Sequence, residues 1–532
     1  MYNVCMVFKK KYSIWFQLIL GLLCGLLNMF GSKLAEGLSL PIFNDTLFTV
    51  LASFFGWTAG ITSALGYHIL FCLFIQKGFS GFLFVICSLS MVLIVRLYIK
   101  NVEIEGVVFT HEKNLSFNNL KKYAEEKYNF DKDIKSKGYG DDDFASCLLV
   151  NSDAKLKNVA ILDSLTYGIT LAKTKGTIED SIISHCNDIC LYCVEKTEAT
   201  VQKTKIINSR YSGVYAIETS NPSLKDCEIY GNGWTGICVK DQARGTYTKC
   251  HIHDNQGNGL NIGGSSTPSF EACEIYGNGW TGICVRDQAR GTYTNCHIHD
   301  NQENGLNIRG SSTPSFEDCE IYGNRADAIW VQDQASGTYT NCHIHDNRLN
   351  GLIIFGSSTP SFEACEIYGN RFDAIWVQDQ ARGTYTKCHI HDNQGNGLII
   401  SGSSTPSVKD CEIYGNGWTG ICVKDQARGT YTNCHIHDNE GCGLNIGGSS
   451  TPSFEDCKIH DNKKEGCPGV VVKESSNPSL KDCEIYGHLS NGIWVKDQAS
   501  GTYKNCYLHN NKGANFSNET SNTIDTSTCR MG

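Results

Sequence analysis

Positive charge is scarce in this chain: 46 Lys and Arg face 55 Asp and Glu, a net charge of −9 over 532 residues. Phosphate binding needs a basic surface, so a nucleic-acid partner is excluded. Charge of either sign is thinnest before about residue 100, where three apolar runs lie, Tyr12–Phe30, Leu47–Ile75 and Phe79–Tyr98. Each is long enough to cross a hydrocarbon core as an α-helix, and the second exceeds one crossing, which predicts tilt or a kink. A cleaved signal peptide is the alternative for the first, because Lys9, Lys10 and Lys11 precede it and the small residues Gly31 and Ser32 follow.

Those lysines, with Lys77 between the second and third runs, place the N-terminus in the cytosol and the remainder of the chain beyond the membrane after three crossings. Arg96 and Lys100 argue the other way. The expectation is a multi-pass integral membrane protein with membrane lipid as one partner and its larger part on the non-cytosolic side. Residues 101–155 are expected to form a linker and N-terminal cap, with a helix or two over Leu115–Lys137, and the polar run Asn515–Gly532 a loose tail.

Leucine periodicity and a half-helical coil are both lacking, which excludes a leucine-rich repeat. A different period is present. Cys227, Cys250, Cys273, Cys296, Cys319, Cys342, Cys365, Cys388, Cys411, Cys434 and Cys457 recur every 23 residues, and after a three-residue insertion near Cys467–Gly469 the ladder resumes at Cys483 and Cys506. Asn158, Ser181 and Thr204 continue the spacing towards the N-terminus. Tyr247, Phe270, Tyr293 and Phe316 stand three residues before the cysteine, and Ile229, Ile252, Ile275 and Ile298 two after it. Such alternation suits a strand with one buried face. A second strand carries Ile237 and Val239, then Leu260 and Ile262. Between the strands, Asn232, Asn255, Asn278 and Asn301 form a column that can donate and accept between coils, and Gly236, Gly259, Gly282 and Gly305 mark a tight bend. The fold class expected is all-β, a right-handed parallel β-helix solenoid preceded by α-helical transmembrane spans. Roughly 16 stacked coils would make a rod about 75 Å long.

The C-x-I-x-x-N…G-I-x-V pattern over about residues 156–514 resembles the parallel β-helix repeats of carbohydrate-binding and sugar-hydrolysing proteins, and is especially similar to the solenoids of F-box-only proteins. The resemblance implies the fold. It implies no single activity, because the class includes polysaccharide lyases, hydrolases, epimerases and noncatalytic substrate adaptors. An F-box-like helical segment is lacking, and apolar runs stand in its place. The paired-aspartate and R-I-K motifs of polygalacturonases and the D-P-H motif of alginate epimerases are lacking too.

Twenty-seven cysteines invite a disulfide or metal reading. Cys186, Cys190 and Cys193 have the C-x3-C-x2-C spacing of an iron–sulfur site, but counting from Ser181 they fall in the asparagine column, on the glycine bend and at an inward valine position. The ladder thiols are expected to be free, since parallel in-register side chains have poor disulfide geometry.

C-E-I-Y-G-N alternates with C-H-I-H-D-N. His251, His253, His297, His299, His343 and His345 therefore point outward, interleaved with glutamates and tyrosines. They are candidate metal ligands, against the alternative of a solvated face with comfortable opposite-charge neighbours. The D-Q-A-R turns, such as Asp241–Arg244 and Asp287–Arg290, supply acid and base together, yet turn residues of this kind commonly satisfy their own backbone. Catalysis needs one unique constellation, and none breaks the repeat, so no cofactor and no catalytic residue is assigned.

One stretch does depart from the repeat. Trp330, Ile353, Trp376 and Ile399 replace cysteine and asparagine at the outward place on the second strand; Phe355 points the same way, with Phe372 at the neighbouring turn. Exposed apolar clusters of this kind often mark contacts. The reading is a membrane-anchored binding scaffold whose partner is a protein or a glycan, with Trp330, Ile353, Phe355, Trp376 and Ile399 as the ligand-binding surface. A carbohydrate-active lyase or hydrolase is the alternative, and a substrate adaptor resembling the F-box-only proteins the second alternative.

Overall fold

The structure is a computed structural model that describes residues 103–105, 108–109, 148–150, 153–164 and 166–532. The three apolar runs and the helix expected over Leu115–Lys137 lie outside the described residues. Among the described residues no helix is long and apolar enough to cross a membrane.

Two units divide the chain at Arg210 and Tyr211. In the first, strands of successive coils pair parallel in three sheets. Lys155–Lys157 joins Thr177–Glu179, Ala160–Leu162 joins Ile182–Ser184, and Ile169–Ala172 joins Leu191–Val194. Glu103–Glu105, Val108–Phe109 and Leu148–Val150 add an earlier coil to the same sheets, so the solenoid starts within the stretch expected to be linker. One coil here is short. Lys155 pairs with Thr177, a step of 22 residues, so Val159 and not Asn158 fills the ladder position. The Val159 N–H donates to Ser181 Oγ at 3.1 Å. Asn158 turns the corner just before it in the left-handed conformation, φ 51°.

The second unit repeats a more regular coil of three short strands. Thr246–Thr248 lies in the first sheet, His251–His253 in the second and Leu260–Ile262 in the third, each in register with residues 23 further on. The sequence suggests one strand from Tyr247 to Ile252, but the chain bends between them. Lys249 has φ 51°, so Tyr247 and Ile252 enter the core from different sheets and Cys250 fills the corner. A left-handed residue costs about 1–2 kcal/mol unless it is Gly, Asn or Asp, and most of these corners carry one of the three. The next corner alternates Asp254, Gly277, Asp300 and Gly323, all with positive φ. A Cβ on Gly277 would stand 2.8 Å from Asp254 Oδ1, so an aspartate in one coil favours glycine in the next. This is one physical reason for the two-coil period.

Three columns hold the interior. Tyr247, Phe270, Tyr293 and Phe316 stack nearly parallel with ring centroids 4.4–5.3 Å apart. Asparagines form a buried ladder: Asn324 Nδ2 donates to Asn347 Oδ1 at 3.0 Å, to Ile298 O at 3.2 Å and to Tyr322 O at 3.0 Å, while its N–H also donates to Asn347 Oδ1. Side chain and backbone are thereby both satisfied without water. The ladder cysteines carry free buried thiols that donate to backbone carbonyls, as Cys273 Sγ does to Tyr247 O at 3.3 Å. Cys186, Cys190 and Cys193 are likewise buried at separate places in their coil, and burial pushes the Cys193 thiol up to about 12.

The C-terminal segment is not a loose tail. Phe516–Asn518 joins the third sheet against Ile493–Val495, and Arg530–Met531 joins the second against Tyr507–Leu508. Asn515 Nδ2 donates to Gly532 O at 2.7 Å, closing a last partial coil. The backbone edge of the stack supplies partners that a composition-based reading does not count.

Candidate functional site

Among the outward strand positions of the second unit, those of the third sheet differ most between coils. Parallel register aligns Asn261, Cys284, Asn307, Trp330, Ile353, Trp376 and Ile399 in one row. Six strand spacings make this strip roughly 29 Å long. Trp330, Trp376 and Ile399 are half-buried and Phe355 is 37 % exposed. Ile353 is only 7 % exposed, in register between the two tryptophans, so it supports the rings more than it presents a surface of its own.

Several polar atoms of this strip have no partner among the described residues: Asn261 Oδ1, Arg286 Nε, Asn307 Oδ1 and Trp330 Nε1. Trp376 Nε1, by contrast, donates to Ser401 Oγ at 3.3 Å. The residue in the place equivalent to Ser401, one coil after Trp330, is Phe355, which offers no side-chain acceptor. Buried polar groups left unpaired cost about 1–3 kcal/mol each. The strip therefore joins half-covered aromatic rings to unsatisfied donors and acceptors.

The turn between the second and third sheets adds a row of which the sequence reading picks out only Phe372. Trp280 is 49 % exposed, Phe372 51 % and Trp418 66 %, each seven residues past its ladder cysteine. The repeated G-N-G-W signal is visible in the sequence, but attention to inward and outward strand positions passes over it. On the opposite turn an open groove of about 700 Å³ is lined by Asp333, Gln334, Ser357, Asp379, Gln380 and Ser403. Its aspartate type serves the backbone: Asp287 Oδ2 accepts from Gly264 N–H at 2.9 Å, and Asp333 Oδ2 from Gly310 N–H at 3.0 Å.

The six candidate histidines lie on the second sheet, each held by a carboxylate. His251 Nδ1 is 2.9 Å from Glu274, and His297 and His343 each 3.2 Å from the next coil's glutamate. His253 and His299 meet the following aspartate at 2.8 and 2.9 Å, while His345 bridges Asp346 at 2.9 Å and Glu320 at 3.1 Å. The rings of His253, His299 and His345 stack between tyrosines 4.7–5.1 Å away. Burial, with Glu320 beside it, pushes the Tyr322 phenol up. Among the described residues no group of three or more His, Cys, Asp or Glu side chains gathers so as to hold a metal ion. Alternation has its own cause here, because identical charges in register would stand about 4.8 Å apart.

Three parallel sheets wound coil upon coil, with an asparagine ladder inside and an aromatic strip outside, define a right-handed parallel β-helix. The chain belongs to the family described as the right-handed β-helix region, whose model matches residues 167–313, 289–405 and 396–531. No curated protein matches it. Among solved structures it is similar to the periplasmic alginate epimerase AlgG, at 12 % identity over 59 % of this chain and 78 % of that one, with a TM-score of 0.38. It is also similar to pectate lyase Pel9A, at 15 % identity over 55 % and 71 % with a TM-score of 0.30. The Azotobacter vinelandii mannuronan C-5 epimerase AlgE4 A-module follows at 14 % identity over 69 % and 91 %, with a TM-score of 0.30.

Proposed function

We propose that this chain is a membrane-anchored β-helix scaffold that binds a glycan along the outer face of its third sheet. The observation that carries the reading is the strip from Asn261 to Ile399, where the unpartnered side chains of Asn261 and Asn307 lead in register to the half-buried rings of Trp330 and Trp376. Sugars present apolar ring faces edged by hydroxyls, and such a strip meets both. Trp330 and Trp376 are two coils apart, roughly 10 Å, so one extended oligosaccharide can lie across both. The apolar runs Tyr12–Phe30, Leu47–Ile75 and Phe79–Tyr98 support a lipid anchor, and Lys9, Lys10 and Lys11 support a non-cytosolic solenoid. A glycan array probed with the detergent-solubilised full chain tests the reading. Retention of defined oligosaccharides is expected; retention of none, with a protein captured through the same face, would replace the glycan with a protein partner.

A carbohydrate-active lyase or hydrolase is the second reading, and the polar groove holding Asp333 and Asp379 is what favours it. Product release from a polysaccharide that Asp333→Asn and Asp379→Asn abolish would establish it.

A further inference from the structure

A second side-chain ladder runs beside the asparagine column, immediately before the bend into the third sheet. Thr281 N–H donates to Asn258 Oδ1 at 3.1 Å, Asp327 N–H to Asn304 Oδ1 at 3.0 Å, Asn350 N–H to Asp327 Oδ1 at 2.9 Å, and Thr419 N–H to Asn396 Oδ1 at 3.1 Å. Each rung needs a short polar side chain in one coil and a backbone N–H in the next. The row then reaches Cys442, whose counterpart one coil on is Pro468, as the bond from Leu444 N–H to Gly469 O at 2.8 Å fixes. Proline has no N–H to donate, so an asparagine at 442 would have no partner there. The ladder resumes only after the insertion, with Ala514 N–H on Asn491 Oδ1 at 2.9 Å.

The rung is replaced by a pair of thiols. The register that sets Pro468 opposite Cys442 places Cys467, its chain neighbour, beside Cys442 on the adjacent coil. Cys442 is 7 % exposed, Cys467 is half-exposed, and both are outside the main cysteine ladder. Two departures from the repeat, a cysteine in place of asparagine and an inserted loop ending in cysteine, thus meet at one point. The preceding loop, Lys463 to Gly466, is exposed; Lys463 N–H donates to Asn439 O at 2.9 Å and Cys467 N–H to Lys464 O at 3.0 Å, and the exposed Lys463–Asp438 and Lys512–Glu465 ion pairs each stand at 3.5 Å.

We propose that Cys442 and Cys467 are a modification site: a disulfide forms between them and clamps the inserted loop to the preceding coil. The oxidant is a low-molecular-weight disulfide such as oxidised glutathione. The more accessible Cys467 thiolate attacks it, breaking the glutathione S–S bond, forming a mixed disulfide and releasing one glutathione thiolate. Cys442 thiolate then attacks the Cys467 sulfur, forming the protein disulfide and releasing the second glutathione thiolate. The two thiol protons end on the two glutathiones, and both protein sulfurs are oxidised as one glutathione disulfide is reduced. Burial pushes the Cys442 thiol up, which disfavours it as the first attacker and leaves that step to the more accessible Cys467. The ladder thiols stay out of the reaction because they are buried and held parallel.

The test incubates the detergent-solubilised full chain in graded mixtures of oxidised and reduced glutathione, blocks free thiols, and maps peptides by mass. A Cys442–Cys467 cross-link should appear first, with ladder cysteines still free. Trypsin cleavage after Lys463 and Lys464 should slow at least several-fold on oxidation, and Cys442→Ser and Cys467→Ser should each abolish that slowing. Stable glutathionylation of Cys467 without a cross-link would overturn the proposal, as would cross-links formed equally among ladder cysteines, or trypsin rates that oxidation leaves unchanged.

Discussion

Replacing His488 by asparagine should make the C-terminal coils less sensitive to acid. His488 occupies the asparagine column: its N–H donates to Asn511 Oδ1 at 3.2 Å, and its Nε2 lies 3.1 Å from Ile459 O, which requires the proton on that nitrogen. The ring is 1 % exposed, and Nδ1 is buried with no partner among the described residues. Burial lowers its pKa to about 4, below the usual value of 6.5. A histidine with a depressed folded pKa leaves stability intact above the unfolded value and destabilises as pH falls below it. The loss grows between about pH 6.5 and 4, and a shift of roughly two and a half units corresponds to about 3 kcal/mol. Coils in a solenoid open locally, so the effect should concentrate near residue 488. Hydrogen exchange measured at pH 7 and pH 4.5 over Gly469–His509 should show the wild type losing protection and His488→Asn retaining most of it. Parallel loss in the two proteins would refute the assignment and shift acid sensitivity to the histidine–carboxylate pairs of the second sheet.

Two other perturbations follow from the stacked columns. Asn347→Ala removes donors to Ile321 O, His345 O and Asn370 Oδ1 and the acceptor for Asn324, so it should cost about 3 kcal/mol or more, read by urea denaturation against the exposed neighbouring control Arg348→Ala. Deleting residues 515–532 uncovers the strand edges at Ile493–Val495 and Tyr507–Leu508, and light scattering should then show self-association that the intact chain lacks.

Much of the fold is legible in the sequence because each coil repeats its chemistry. Cysteine, isoleucine, asparagine and glycine each return at one offset, and in-register stacking is the arrangement that buries all four together. The bend at Lys249 is not legible, since lysine carries no turn signal and the left-handed conformation is imposed by closure of the coil. The 22-residue coil around Val159 is hidden for a related reason: Ser181 and Thr204 mark the ladder only by spacing, and one missing residue moves the register unseen. For the candidate site, the row from Trp330 to Ile399 stands out as a break in the repeat. Burial of Ile353 does not, because it depends on the rings in the two adjacent coils. The pairing of Cys442 with Cys467 needs the insertion's path, which sequence spacing leaves open.

The central claim is that the third-sheet strip binds a glycan, and calorimetric titration of the full chain in detergent tests it most directly. Using an oligosaccharide retained on the array, Trp330→Ala with Trp376→Ala should weaken binding at least tenfold, while Thr246→Ala with Thr292→Ala on the first sheet should leave it unchanged. Equal affinity in the tryptophan variant, with its β-sheet spectrum intact, would contradict the account.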